Sequence, residues 1–296
     1  MSAFSRIGVI AKRRDEQVLP AVRELCQIVA EMGCAVRVES HLATSANHGP
    51  AEVLETEALI AWADLLIVVG GDGTLLRAGR NLAQRDTPVL GIHHGRLGFL
   101  VDVRPDQTRV SLQNILAGDY WIENRLTLNA TIHGGESLRG PYPAINDVVI
   151  RNQAAVRMLE FETWLGEEFI SLHRADGFIV ATPTGSTAYA LSGGGPVLHP
   201  SIDAVALVPI CPHTLSDRPL VVSAERPVFV ALAGDTNDKA MMTCDGQTYH
   251  TLSVGERLQI SRSEHPLRLI HPRQYDYFHI LRNKMHWGRD KVSNGA

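Results

Sequence analysis

The stretch Asp64-Leu-Leu-Ile-Val-Val-Gly-Gly-Asp-Gly-Thr74 decides how this chain is read. Leu65 to Val69 is an unbroken apolar run, the pattern of a strand buried on both faces. It stops at Gly70, Gly71, Asp72 and Gly73, and helical spacing opens at Thr74 and continues to Ala83. Glycines at a strand-to-helix junction let a phosphate come close to the backbone, and the first N–H groups of the helix attract anions. A carboxylate in that loop repels phosphate. Asp72 therefore needs another role, either holding a metal ion or steering a hydroxyl toward a phosphoryl group. A turn with Asp72 as helix N-cap uses the same residue types, but the glycines on either side of it exceed what a cap requires.

Outward from this junction the first part of the chain alternates strand and helix patterns. Ile7–Ala11, Ala35–Glu39 and Val89–Ile92 read as further strands. Val18–Met32 carries helical spacing at Val22, Leu25, Cys26 and Val29 and is ended by Gly33. Strands separated by helices predict a parallel sheet covered on both faces, with ligands at the carboxyl ends of its strands. From about Tyr120 the pattern changes to short alternating segments with many turns: Leu126–Ile132, Ala144–Arg151, Leu159–Leu165, Phe178–Ala181, Ala204–Val208, Leu220–Val222, Val228–Ala231 and Arg257–Ile260. The expected organisation is an α/β domain over residues 1–119 and an all-β domain over 120–296. A helical pattern at Tyr275–Met285 is expected to return to the first domain.

The 296 residues include 28 Lys plus Arg and 32 Asp plus Glu, a net charge of −4, which argues against a nucleic-acid binder driven by bulk electrostatics. The four cysteines are scattered without metal-binding spacing, as in a reduced cytoplasmic protein. No stretch reaches the roughly 18 apolar residues of a membrane span, and Arg6-Ile-Gly-Val-Ile-Ala-Lys12 is too short for a signal peptide. A cytoplasmic location, with no membrane partner, is expected.

Two common glycine motifs are excluded. No lysine follows Gly73 as a P-loop requires, and Leu76 stands where a dinucleotide fingerprint would place its third glycine. A second glycine-rich stretch, Thr182-Pro-Thr-Gly-Ser-Thr-Ala-Tyr-Ala-Leu-Ser-Gly-Gly-Gly-Pro196, follows the strand Phe178–Ala181. Ser186 or Thr187 is expected to cap a short helix over Ala188–Leu191, its hydroxyls suit phosphates or an amide, and Tyr189 offers a flat face to a base. Asn146-Asp147 and Arg174-Ala-Asp176-Gly177 complete the polar inventory; either reads also as a simple turn, and for Asn146-Asp147 taken alone the turn is the better reading.

At these residues the chain resembles the NAD kinase family in its bacterial form. The resemblance rests on Gly70-Gly-Asp-Gly-Thr74, Gly91-Ile-His-His-Gly-Arg-Leu-Gly-Phe-Leu100, Asn146-Asp147, Asp176-Gly177, Thr182 to Tyr189 with Ser192-Gly-Gly-Gly-Pro196, Pro212-His-Thr-Leu-Ser-Asp-Arg-Pro-Leu220 and Cys244-Asp-Gly-Gln247. It implies an α/β N-terminal domain with a parallel sheet, a β-sandwich C-terminal domain, and transfer of the ATP γ-phosphoryl to the 2′-hydroxyl of the adenosine ribose of NAD. It also implies a divalent metal, usually magnesium, and a homodimer or homotetramer. Carried over by residue, Asp72 matches the catalytic acid, with Gly73 beside it. Asn146 and Asp147 match the pair on the ribose hydroxyls. Arg157, Arg174 and Asp176 fall at dinucleotide contacts. Thr187, Ala188, Tyr189, Ala190, Leu191 and Ser192 match the loop lining the base pockets, and Gln247 a further contact. Arg77, one turn after the first loop, is expected near phosphate. No residue is assigned to the metal. His93 stands where the family usually has Asn, and Asp147 where many members have Glu. Two other readings stay open: a kinase for a lipid or sugar hydroxyl, since those families share the Gly-Gly-Asp-Gly loop, and a module that senses NAD or NADPH without turnover.

Overall fold

The computed structural model describes residues 3–13, 15–42, 50–82, 85–95, 98–135, 137–152, 158–214, 216–234 and 239–287. In chain order the first elements are β1 (Arg6–Ala11), α1 (Leu19–Glu31), β2 (Ala35–Glu39), β3 (Glu52–Leu54), α2 (Thr56–Trp62), β4 (Leu65–Gly70), α3 (Asp72–Asn81), β5 (Val89–His93), α4 (Thr108–Leu116) and β6 (Trp121–Arg125). Then come β7 (Leu128–Gly134), β8 (Ser137–Ala144), β9 (Asp147–Asn152), β10 (Leu159–Leu165), β11 (Glu168–Ala175), β12 (Gly177–Ala181) and α5 (Tyr189–Ser192). The last are β13 (Ala204–Ile210), β14 (Leu220–Ser223), β15 (Val228–Leu232), β16 (Lys239–Cys244), β17 (Thr248–Ser253), β18 (Arg257–Arg262), β19 (Leu267–His271) and α6 (Tyr277–Met285). The chain divides into two compact units, residues 1–123 with 268–296, and residues 124–267.

The first unit holds a seven-stranded sheet of order β3-β2-β1-β4-β5-β19-β6. β1 pairs in parallel with β2 and β4, and β4 with β5. All six residues of β4 are buried, because helices cover both faces. On one face Ile67 and Val69 pack with Val22, Leu25, Cys26 and Val29 of α1 and Leu112 and Ile115 of α4. On the other, α2 and α3 lie against β1 and β4; a Cβ on Gly8 would strike Leu66 and Leu59 there. α1 ends where expected, with Gly33 in the left-handed region at φ +77. The strand Leu267–His271 differs from an all-β reading of everything after residue 120: it hydrogen-bonds in parallel to β5, so this late segment belongs to the first sheet.

The second unit is a β-sandwich. One six-stranded sheet runs β11-β10-β15-β18-β7-β8, the other β14-β13-β12-β9-β16-β17, and neighbours pair antiparallel. Phe161, Val230 and Leu258 of the first meet Val148, Ile150, Phe178 and Met242 of the second in one apolar core. The alternate residues Val149, Ile179, Ala181 and Val208 face outward and are covered by Ala190 and Leu198. The loop after β12 thus folds back over the outer face of its own sheet. Among the described residues no helix is long and apolar enough to cross a membrane.

Candidate active site

The first site is the junction of β4 and α3. Gly71 occupies the N-cap in an extended conformation without a side-chain cap, and Asp72 is the first helical residue. Asp72 does not cap its own helix. Its carboxylate turns to the loop after β5, where Oδ2 accepts the Phe99 N–H at 2.8 Å and Oδ1 the Leu100 N–H at 3.0 Å. Gly98 makes this possible, since a Cβ there would overlap the Asp72 carboxylate. A carboxylate offers about four acceptor positions; with two used, capacity is left for a hydroxyl. Gly71 and Gly73 have open space where a Cβ would sit, so packing does not demand either glycine, whereas close approach by a ligand would.

Arg77 is a correction to the expected phosphate contact. Its guanidinium forks onto Glu39, with Nη1 2.6 Å from Oε1 and Nη2 2.9 Å from Oε2, and Nη2 also donates to the Ala11 carbonyl at 3.0 Å. Glu39 is fully buried and is also held by Arg13, His41 and Thr56. Burial alone would raise its pKa; the hydrogen bonds from His41, Arg77 and Thr56 and the charge of Arg77 outweigh it and hold the carboxyl well below its usual range. His93 ends β5. Burial outweighs a backbone hydrogen bond with Gly95 and keeps its pKa below the ordinary value. At neutral pH the ring is therefore uncharged, closer to the Asn usual at this position.

The second site lies in the sandwich. Asp147 opens β9 with Asn146 just before it, and the pair is fastened from two sides. Asp245, in the left-handed region at φ +50, accepts the N–H groups of Ile145 at 3.1 Å, Asn146 at 2.7 Å and Asp147 at 3.2 Å. From the other side the Thr182 hydroxyl donates to the Ile145 carbonyl at 2.6 Å and the Thr182 N–H to the Asn146 carbonyl at 2.8 Å. Gly185 abuts that carbonyl so closely that no Cβ fits. Burial, and then the charge of Asp245, push the Asp147 carboxyl up to about 7. Asn146, Asp147, Ala188, Tyr189, Asp245 and Tyr249 line a cavity of about 320 Å³. Two phenol rings beside an amide and two carboxylates suit a planar base joined to a diol.

The other predicted residues sit differently. The Ser186 hydroxyl donates to the Pro183 carbonyl at 2.6 Å and accepts the Leu198 N–H at 2.9 Å, and the Thr187 hydroxyl donates to the Thr184 carbonyl at 3.1 Å. These hydroxyls tie the loop to itself, and no side chain caps the helix Tyr189–Ser192, contrary to expectation. Ala190 is buried under the loop, and Thr187, Leu191 and Ser192 lie outside the cavity lining. Arg174 and Asp176 are exposed about the β11–β12 turn and do not line it. Gln247 is exposed, and its neighbour Gly246 takes the place at the cavity wall. Arg157 lies outside the described residues. Asp72 and Arg77 belong to the first unit and the cavity residues to the second. Sequence reasoning missed Asp245: it stands in the quoted Cys244-Asp-Gly-Gln247 run, and the Asp-Gly pair signals a turn, but its amide partners lie about a hundred residues earlier.

A parallel α/β unit with a Gly-Gly-Asp-Gly loop, joined to a sandwich with an acidic and aromatic cavity, defines a two-domain small-molecule kinase class. The family model of the ATP-NAD kinase N-terminal domain matches residues 7–120, and that of the ATP-NAD kinase C-terminal domain residues 145–272. The NAD kinase of Pseudomonas fluorescens (strain Pf0-1) is 41% identical over 296 residues, covering 100% of both chains. The NAD kinase of Pseudomonas entomophila (strain L48) is 41% identical over 288 residues, 97% of each. The structure of an NAD kinase from Archaeoglobus fulgidus in complex with ATP matches with a TM-score of 0.75 at 27% identity, over 95% of this chain and 98% of that one. Yeast NADH kinase complexed with NADH matches in fold with a TM-score of 0.87 at 21% identity, over 98% and 90% of the two chains. The chain belongs to the ATP-NAD kinase family.

Proposed function

We propose that this chain transfers the γ-phosphoryl group of ATP to the 2′-hydroxyl of the adenosine ribose of NAD, giving NADP, with Asp72 as the residue that receives the hydroxyl proton. The observation that carries this reading is the carboxylate of Asp72, held by the Phe99 and Leu100 amides at a helix start flanked by bare glycine backbone. A ribose hydroxyl is a far weaker acid than an aspartic acid, so Asp72 does not deprotonate it in advance. It orients the oxygen for in-line attack and takes the proton late, which suits a loose transition state that asks little of the nucleophile. The N–H groups at the start of α3 stabilise charge on the transferring phosphate. Asn146 and Asp147 hold the ribose and Tyr189 the base. Arg157, Arg174, Asp176 and Gln247 are kept as outer dinucleotide contacts on the resemblance alone.

A divalent metal, magnesium by expectation, belongs to the same reading, since magnesium is commonly held by one or two carboxylates plus substrate phosphates. Asp72 would be a carboxylate available to it. When bound, the metal neutralises charge on the phosphate oxygens. Assembly as a homodimer or homotetramer belongs to the same reading, supported by Phe169 and Leu172, 57% and 47% exposed on the edge strand β11. Its four free cysteines suit the cytoplasm.

The test is Asp72→Asn, assayed for NADP formation from NAD, ATP and magnesium. Turnover is expected to fall by about 10²–10⁴ while calorimetry still finds NAD binding. Near-normal turnover removes Asp72 from the chemistry.

A further inference from the structure

His271 is a buried group that the reaction above does not use. It ends β19, which lies between β5 and β6, and it reaches to both sides. Nδ1 is 3.1 Å from Oδ2 of Asp102, on the segment after β5, and Nε2 is 3.1 Å from Oε2 of Glu123 in β6. The ring is 1% exposed. Tyr275 stacks on it at 3.8 Å between centroids, and Trp121 lies at 4.9 Å. Burial pulls its pKa down, and the hydrogen bonds and charges of Asp102 and Glu123 outweigh that and hold it above the ordinary value. An imidazole wedged between two carboxylates, one ring nitrogen within hydrogen-bond distance of each, is a clamp that fails when any one member is removed.

What the clamp holds is informative. Asp102 stands two residues beyond Leu100, whose N–H, with that of Phe99, binds the Asp72 carboxylate. The same segment is fixed along β5: the Val103 N–H donates to the Gly91 carbonyl at 3.2 Å and the His93 N–H to the Val103 carbonyl at 2.9 Å. A Cβ on Gly91 would strike Val101. The segment Gly98–Val103 is thus pinned by β5, by Asp72 and by His271.

We propose that His271 is a positioning residue for the phosphoryl transfer: by gripping Asp102 and Glu123 together it fixes the segment that presents the Phe99 and Leu100 amides, and through them the carboxylate of Asp72. This rests on the catalytic reading of Asp72. The experiment is His271→Gln in the full-length enzyme, with Asp102→Asn as a second variant should the first fail to fold. Amide exchange is followed on peptides covering Phe99–Leu100 and, as reference, α1 and β12, together with kcat and KM. Exchange at Phe99–Leu100 is expected to speed up by about tenfold or more with the reference peptides unchanged. kcat is expected to fall about ten- to a hundredfold, with both KM values held within about twofold. Added to Asp72→Asn, the His271 change should alter turnover by less than about twofold, because its effect runs through the missing carboxylate. Unchanged local exchange, a uniform rise in exchange across the chain, or an undiminished loss in the Asp72→Asn background overturns the proposal. Failure of the Asp72 reading shows separately, as turnover retained by Asp72→Asn alone, and the exchange result does not depend on it.

Discussion

A single methyl group added at Gly98 should disarm Asp72 without touching it chemically. The backbone of Gly98 approaches the Asp72 carboxylate so closely that the Cβ of Gly98→Ala overlaps Oδ1, and the same Cβ meets Cγ2 of Val101 at 2.7 Å. The Val101 side is closed by its packing on Gly91, so the carboxylate must yield. Oδ1 then loses the Leu100 amide first, and further rotation loses Phe99. Each is a hydrogen bond to a charged group, of about 1.5–3 kcal/mol. Loss of one sets the smaller cost; loss of both, about 3–6 kcal/mol by the same measure, sets the ceiling. A displacement on the order of 1 Å at a reacting group costs about a hundredfold in rate. Gly98→Ala should therefore lower kcat about ten- to a hundredfold in a coupled NADP assay, with NAD affinity by calorimetry unchanged, since the cavity in the sandwich is not involved. In an Asp72→Asn background the substitution should add little. A Gly98→Ala enzyme with wild-type kcat and undiminished thermal stability would refute the reasoning: the amides of Phe99 and Leu100 would then not be what holds Asp72 in the working enzyme.

Gly73→Ala meets open space, so unfolding midpoints should stay within about 0.5 kcal/mol of wild type, while the ATP KM rises because the added methyl stands where phosphate approaches; an unaltered KM would show that the donor does not pass over this residue. Arg77→Ala should cost about 1.5–3 kcal/mol in urea unfolding, because it strips the forked partner from the buried Glu39 while Arg13, His41 and Thr56 still hold it, and should leave the ATP KM unmoved if Arg77 is the structural residue the geometry indicates. The Asp147 carboxyl, raised from 3.8 to about 7, keeps in the folded state a proton that the unfolded chain releases, so it draws stability down as pH climbs through that window, at up to about 1.4 kcal/mol per unit. Above the folded value this loss levels off. The difference in urea stability between wild type and Asp147→Asn, measured from pH 4.5 to 8, should show that slope.

What is legible in the sequence is local. The β4–α3 junction stands out because an apolar run, three glycines and a helical pattern are contiguous, and the sandwich core follows from alternation along single strands. What is hidden depends on partners far away in the chain. β6 reads Trp-Ile-Glu-Asn-Arg, without alternation, because a sheet edge next to β19 asks little of it. β11 leaves Phe169 and Leu172 exposed, so its apolar residues do not mark one face. α2 spans only seven residues, too few for a helical period to stand out. Arg77 resembles a phosphate ligand because it stands one helical turn after the glycine loop, whereas its partner Glu39 lies at the end of β2, 38 residues earlier. The hydroxyls after β12 suggest a ligand loop by number alone; folded back over the sheet, they are needed to satisfy carbonyls of the loop itself and of Ile145.

The three aspartates of the candidate sites separate by what they accept. Asp72 and Asp245 each receive backbone amides from a distant segment, so each is both a clamp and an acceptor, and neither can turn away without releasing a loop. Asp147 is the buried member whose own N–H goes to Asp245 and whose carboxyl is raised toward neutrality by burial and by that neighbour. Near pH 7 it is partly protonated, so it can donate as well as accept. That difference suits the two roles the proposed reaction asks for, a hydroxyl to be held and a hydroxyl to be deprotonated. A hydroxyl that is only to be held can be met by a carboxylic acid acting in either sense, whereas a hydroxyl that must lose its proton needs a group committed to accepting. The amides on Asp72 are thus more than scaffolding: each oxygen already accepts one N–H, and the lone pairs left over are what the side chain has for a hydroxyl proton or for a metal ion.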